Sequence, residues 1–451
     1  MQYPLAEKIG NPELLVGREK EFRLFDKWLK NIPERLSKSK VILARRKSGK
    51  TAFVQRIFNR LWSENGRVIP FYFDIAESKI WYPQFAIKYY CAFASQYISF
   101  LERDEQLVKT PLSLKEIKQY GLANSIKLLV RDVELLLEHE KVGRGFDLMW
   151  ETAYSAPHRF ADLFDKRILV ILDEFQNITQ YVYPDQHYQT APIETLAGSF
   201  HYHVESKLAP MLVTGSYVGW LINVIDNYLE AGRLKRMRMS PYLTSDEGLE
   251  AVYKYAEFFG EPITNETAVQ INELCLSDPF FVSCVIQSEF EYKDLSNFEG
   301  VINTVHYEIS DRDSEMSMTW NEYLYSTLDR VNDTYAKQML LHLTQQNRQY
   351  WTPQQLKKEL SLPLKEPDIR QKLILLSEAD LIDRGVSDLQ FRGLTDGTLN
   401  LILRNRLEEE IIGFAPDLKQ EFHLKLAQEL SAENNTLQGK LNQLSGYFAE
   451  Y

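Results

Sequence analysis

With 451 residues, 44% of them hydrophobic and 25% charged, the chain has the make-up of a soluble globular protein with room for two to four domains. No run approaches the ~18 apolar residues of a membrane span, and Met1–Lys8 lacks the basic start and apolar stretch of a signal peptide. A net charge of −11 argues against a surface coated for non-specific nucleic-acid binding, though not against a local basic face. Cys91, Cys275 and Cys284 are too few and too scattered for a disulfide framework or a zinc site, so a reducing cytoplasm is the expected setting.

In chain order, Leu15–Glu21 reads as a turn and helix start, continued at helical spacing by Phe22, Leu24, Phe25, Trp28 and Leu29. A strand is predicted at Val41–Ala44. The loop Ala44-Arg-Arg-Lys-Ser-Gly-Lys-Thr51 follows, then a helical pattern from Ala52 to Phe58. A second strand is predicted at Arg67–Asp74, rich in Val, Ile, Phe and Tyr. Residues 76 to about 165 read as a mostly helical insert, with its clearest helix at Ser125–Glu138. Ile168–Leu172 is apolar throughout, as in a parallel strand covered on both faces. Met211–Gly215 is a fourth strand and Met237–Met239 a short fifth. Strands alternating with helices predict an α/β fold with a parallel sheet. Beyond Pro241, Leu243–Phe290 is helical, Thr319 to about Arg406 forms another unit, and Leu407–Tyr451 is helical and polar.

The Ala44–Thr51 loop, set between a strand and a helix, has the layout of a nucleotide phosphate cradle. Backbone N–H groups of such a loop and the helix N-terminus favour phosphate. Ala44, Ser48, Gly49, Lys50 and Thr51 are the expected nucleotide contacts, with Lys50 on the β/γ-phosphates and Thr51 on Mg²⁺. Leu172-Asp173-Glu174-Phe175-Gln176 closes the apolar strand, where nucleotide sites of open sheets lie. There Asp173 can hold Mg²⁺ and Glu174 can act as general base toward water. The bland alternative is two acids marking a strand end in solvent.

Ser216, in Val213-Thr214-Gly215-Ser216, is placed to sense a γ-phosphate; otherwise the segment is an ordinary turn. Arg233, before the fifth strand, is the candidate for transition-state charge, and Arg18 for the base or phosphates; either can equally be a solvated arginine. Arg45, Arg46 and Lys47 are read as a solvated loop run, with phosphate or a neighbouring subunit as the alternative. His201 and His203 have no acids or cysteines beside them and make no metal site. The many Tyr and Phe residues are read as core.

Together these residues resemble the archaeal-type ATPases of the STAND branch of AAA-related P-loop NTPases, which also occur in bacteria. Leu15–Glu21 resembles their hydrophobic-Gly-Arg-Glu box, Ala44–Thr51 Walker A, Ile168–Gln176 Walker B, Val213–Ser216 the Thr-Gly-Ser sensor, and Gly232-Arg233 a following Gly-Arg. The sequence departs from the pattern in opening Walker A with Ala44 and in placing Ser48 before Gly49; a small residue suffices at the first position.

The resemblance implies a core at 1–240, a helical lid at 241–318, a winged helix at 319–406, and a linker or the start of a further domain at 407–451. Asp278-Pro279-Phe280 resembles the lid's Gly-x-Pro segment without its glycine. Ala336–Leu343, Trp351–Leu360, Ile369–Leu376 and Leu381–Phe391 would be helix, helix, recognition helix and wing, closed by Phe391–Asp396. Leu437–Tyr451 is similar to the junction with a nuclease-like domain, whose remainder is missing. A truncated chain, a partly ordered one and a member without the effector all stay open.

The resemblance therefore implies ATP and Mg²⁺ as cofactors and a switch ATPase controlling an effector or a DNA contact, with defence against foreign DNA as one setting. The implied partner is a protein effector or a self-oligomer; DNA is a candidate partner through the winged helix; no membrane is involved. Two alternatives stay open: a DNA-binding regulator tuned by nucleotide, and an oligomerisation scaffold that binds ATP with little turnover. Arg370, Gln371 and Lys372 give a recognition helix a modest basic face, but Glu366, Asp368 and Glu378 flank it.

Overall fold

The computed structural model describes residues 1–229, 232–331, 334–378, 381–385, 387, 389–394, 397–413, 417–420 and 422–423. Ala231, Thr395-Asp396 and the Leu437–Tyr451 junction lie outside the described residues. The chain divides into two compact units, one spanning Met1–Pro241 and the other beginning at Tyr242.

The first unit is built on five strands: β1 Lys40–Leu43, β2 Val68–Asp74, β3 Arg167–Asp173, β4 Met211–Gly215 and β5 Lys235–Arg238. They pair in the order β2-β3-β4-β1-β5, all parallel. The chain leaves β1 for β2 in one direction and leaves β4 for β5 in the other. Such a reversal opens a crevice at the strands' C-terminal ends. β3 is buried along its whole length, as its unbroken apolar run requires. β5 is an edge strand with Lys235, Arg236 and Arg238 exposed. It starts two residues before the predicted Met237, because an exposed edge carries no apolar signal and charge there blocks further pairing.

Helices α1 Glu19–Leu29 and α2 Lys50–Glu64 flank β1 in sequence. Between β2 and β3 come α3 Tyr82–Glu102, a single turn at Gln106–Lys109, α4 Leu114–Ala123, α5 Lys127–Val142 and α6 Phe146–Leu163. Ser113 and Glu116 form the capping box that starts α4. α5 replaces the predicted Ser125–Glu138: Ser125 takes a left-handed φ of 58°, and the helix runs on to the Gly143 cap.

Alternation along β2 sends Phe71 and Phe73 toward α3 and Tyr72 toward α2. Phe71 meets Tyr89 and Phe93 edge-on at 5.2 and 5.3 Å, and Phe73 meets Tyr89 at 4.9 Å. Each such pair contributes roughly 0.5–1.5 kcal/mol beyond its buried area. The Tyr and Phe residues of this helical layer are thus core, and they clamp the β2 edge of the sheet.

The second unit is helical, with helices at Ser245–Phe259, Asn265–Leu274, Pro279–Ile286, Phe298–Ser310, Glu315–Val331, Thr334–Gln345, Pro353–Glu359, Glu366–Glu378 and Gly397–Ile412. Asp278 caps the third by accepting from the N–H groups of Phe280 and Phe281 at 3.0 and 3.4 Å, with Pro279 in its first turn. Ile382–Arg384 and Phe391–Gly393 form an antiparallel hairpin, and Trp351 bridges to Phe391. Among the described residues no helix is long and apolar enough to cross a membrane.

Candidate functional site

The loop after β1 turns tightly before α2. Lys47 and Gly49 both take left-handed φ angles, 63° and 79°. Gly49 adopts this conformation without strain, and nothing stands within 4 Å of where its Cβ would be. The turn aims the start of α2, at Lys50 and Thr51, into the crevice at the end of β1. Ala44 and Ser48 are buried and Thr51 is half-buried. Lys50 is only 4% exposed, yet its ammonium is well held: it donates to Ser216 Oγ at 2.6 Å and stands 3.4 Å from Glu174 Oε1.

β3 ends in two carboxylates with different surroundings. Asp173 is fully buried. Its Oδ1 accepts from the Thr214 hydroxyl and, at 3.1 Å, from the Glu174 N–H; its Oδ2 accepts from the Tyr72 hydroxyl at 3.1 Å. Glu174 sits at a φ of 52°, a left-handed conformation that costs a non-glycine residue about 1–2 kcal/mol. This turn swings its side chain toward the end of β4. There Oε2 accepts from the Ser216 N–H and from Gln176 Nε2, each at 2.8 Å, while the Ser216 hydroxyl donates to Oε1. Burial acts to raise the Glu174 pKa, but the Lys50 ammonium, the Ser216 hydroxyl and N–H and the Gln176 amide outweigh it and hold the carboxyl below its ordinary value. The glutamate is thus an anion in a ring of donors.

Lys50, Asp173, Glu174 and Ser216 therefore meet in one place, from the ends of β1, β3 and β4. Arg18 joins the loop from behind. It is 3% exposed and donates to Ser48 O at 3.0 Å and to Ser240 O and Pro241 O at 2.6 and 3.2 Å. Arg18 thus ties the cradle to the end of the first unit and touches the loop through its backbone. Arg233 is elsewhere. It donates to His201 O and pairs with Glu205, both at 3.1 Å, and precedes β5, at the N-terminal end of the sheet. Four residues of parallel strand, about 13 Å, separate that end from the crevice.

Three residues at the site escaped the sequence reading: Tyr72 and Thr214, which hold Asp173, and Gln176, which holds Glu174. Thr214 and Gln176 lay inside recognised segments, but their partners are set by strand pairing rather than spacing.

The donor set fits a nucleotide and a hard cation. A hydroxyl on Thr51 and a carboxylate on Asp173 are oxygen ligands of the kind Mg²⁺ takes, completed by phosphate oxygens and water. The buried Ser48 Oγ has no hydrogen-bond partner. An unpaired buried hydroxyl is costly, and a phosphate oxygen would relieve it.

No protein-family model matches the chain, and no curated protein matches it in sequence. Among solved structures it is similar to the Walker-type ATPase PABY2304 of Pyrococcus abyssi, with a TM-score of 0.53 and 16% identity over 89% of this chain and 98% of that one. Lower scores relate it to the ORC2 protein of Aeropyrum pernix in its ADPNP–ADP complexes (TM-score 0.45, 14% identity, 88% and 97% covered) and to CDC6P from Pyrobaculum aerophilum (0.38, 12%, 87% and 94%). The parallel sheet, with its reversal of strand order, and the likeness to PABY2304 show that this chain has the α/β fold of that Walker-type ATPase.

Proposed function

We propose that the chain is a Mg²⁺-dependent ATP hydrolase whose nucleotide cycle works as a conformational switch. The observation that carries this reading is the Lys50–Ser216–Glu174 cluster beside the buried Asp173, at the C-terminal end of the parallel sheet. The naming of PABY2304 as a Walker-type ATPase favours ATP, and the sequence contains no guanine-type Asn/Thr-Lys-x-Asp motif after the fourth strand. When bound, Mg²⁺ would neutralise phosphate charge. Thr51 and Asp173 would hold the ion, with Ala44, Ser48 and Gly49 lining the cradle. Lys50 would leave Glu174 for the phosphates, freeing the carboxylate to accept a proton from water. Ser216, bonded to both Lys50 and Glu174, would report the exchange to β4.

Arg233 lies too far along the sheet to act on this site within one chain. A role in stabilising transition-state charge would require a second copy of the chain. The helical second unit would serve as the moving part, with Arg18 linking Ser48 to Ser240 and Pro241 at its threshold. Small-angle scattering of Glu174→Gln loaded with Mg²⁺–ATP and with Mg²⁺–ADP should give two distinct profiles. Superimposable profiles would reduce the proposal to a hydrolase without a switch.

A Cβ at Gly215 would stand 2.1 Å from Gln176 Oε1, so Gly215→Ala pushes that amide off Glu174. Because a misplaced catalytic group loses about tenfold to a hundredfold in rate, we expect turnover to drop by that factor with nucleotide affinity unchanged. Wild-type turnover in this variant would remove Gln176 from the mechanism.

One observation favours a second reading. Helices at Thr334–Gln345, Pro353–Glu359 and Glu366–Glu378, followed by the hairpin, have the element order of a winged helix, a module through which the chain would contact DNA. Such contact would weaken steeply between roughly 50 and 200 mM salt. Negligible binding in an anisotropy titration at the lower salt would reject it.

A further inference from the structure

β2 is an edge strand, and Tyr72 is held there through both its backbone and its side chain. Its backbone N–H donates to Gln96 Oε1 at 2.8 Å and its carbonyl accepts from Gln96 Nε2 at 2.9 Å. The amide stands where a further strand would pair, so it closes the edge at this one residue. Pro70, two residues earlier, turns the same way and has no N–H to leave unpaired there.

The Tyr72 side chain points to the opposite side of the strand from Phe71 and Phe73. Its hydroxyl donates to Asp173 Oδ2 at 3.1 Å and accepts from Gln55 Nε2 at 3.4 Å. Gln55 Oε1 in turn accepts from the Lys8 backbone N–H at 2.7 Å. Every donor in this chain points toward the carboxylate, so each bond polarises the next. The Gln55 amide has one workable orientation, since flipping it would set N–H against N–H at Lys8. Tyr72, Gln55 and Asp173 are all buried.

The segment holding Lys8 is itself fixed along α2. Leu5 exchanges two hydrogen bonds with Asn59 at 3.0 and 2.9 Å, and buried Glu7 pairs with Arg56 at 2.7 Å. The Lys8 ammonium pairs with Asp74 at 3.2 Å, and Asp74 is the register partner of Asp173.

We propose that Tyr72 is a positioning residue: it fixes the Asp173 carboxylate for a divalent cation, and Gln55 couples that orientation to the N-terminal segment. This rests on the reading of Asp173 as a Mg²⁺ ligand. With Thr214 and the Glu174 N–H on one oxygen and Tyr72 on the other, the carboxylate cannot rotate. Removing the hydroxyl frees it. Groups that orient a metal ligand change metal affinity by about 10- to 100-fold when lost.

The test is Mn²⁺ uptake, followed by electron paramagnetic resonance, by the purified chain with a non-hydrolysable ATP analogue. Tyr72→Phe should weaken Mn²⁺ binding about tenfold while leaving analogue affinity in EDTA unchanged. Gln55→Leu, one hydrogen bond further from the carboxylate, should act in the same direction but less. In Tyr72→Phe, raising Mg²⁺ should restore turnover toward the wild-type kcat, which damage to the fold would not allow. Mn²⁺ affinity within about twofold of wild type in Tyr72→Phe would overturn the proposal. If Tyr72→Phe does not fold, Gln55→Leu decides: weakened Mn²⁺ binding supports the relay and unchanged binding overturns it. If the wild type takes up no Mn²⁺ with the analogue, the metal reading of Asp173 falls and this proposal with it.

Discussion

Lys50→Ala should bind Mg²⁺–ATP about a hundredfold more weakly than the wild type and show no measurable turnover. A hydrogen bond to a charged group contributes about 1.5–3 kcal/mol, and each 1.4 kcal/mol is a factor of ten in affinity. Lys50 is the buried cation at the start of α2, aimed into the crevice by the turn at Gly49. Removing it also takes one partner from Glu174. Breaking a buried pair costs about 3–5 kcal/mol when the remaining charge is left alone. Here the Ser216 hydroxyl, the Ser216 N–H and the Gln176 amide still hold the carboxylate, so the loss of stability should stay below that range. Calorimetric titration with a non-hydrolysable analogue separates the two effects: binding should collapse while the melting transition remains cooperative. An affinity close to that of the wild type would remove Lys50 from the phosphate site.

Glu174→Gln should do the reverse, binding ATP as tightly as the wild type or tighter and losing turnover by about 10²- to 10⁴-fold, the usual contribution of a general base. Glutamine keeps the shape but cannot take a proton at neutral pH. It also removes the anion that competes with phosphate for Lys50, 3.4 Å away. A tightening of ATP binding would therefore come from the free state, where the ammonium is no longer neutralised. Single-turnover hydrolysis together with analogue binding measures both halves of this expectation. Turnover near the wild-type rate would assign the base to another group.

Much of this arrangement is legible in the sequence, for identifiable reasons. The apolar run Ile168–Leu172 announces a buried strand, and the neighbouring Asp173 and Glu174 mark its end. The Gly49–Lys50–Thr51 turn is a local feature, and local features survive in a linear reading. The fourth strand appears at its predicted bounds, Met211–Gly215. The fifth is displaced because a solvated edge strand such as Lys235–Arg238 is written in lysine and arginine, with no hydrophobic period.

Tyr72 could not be found in this way. It sits in the stretch Val68–Asp74, where apolar and aromatic residues occupy both faces and no alternation separates the side that meets α3 from the side that meets Gln55. Its importance depends on the register that places Asp74 beside Asp173, a tertiary fact. Arg233 is the converse case. Its position in the sequence suggested a role at the site, but the parallel sense of β5 sets it at the far end of the sheet.

On the proposed reading, the Lys50–Ser216–Glu174 cluster hydrolyses ATP with Mg²⁺ held at Asp173. Steady-state phosphate release from ATP by the purified full chain, measured with Mg²⁺ and with EDTA and beside Glu174→Gln, tests it most directly. Release in Mg²⁺ is expected, abolished by EDTA and lowered in Glu174→Gln by about two orders of magnitude or more. Equal release by wild type and Glu174→Gln, or release that persists in EDTA, would contradict it.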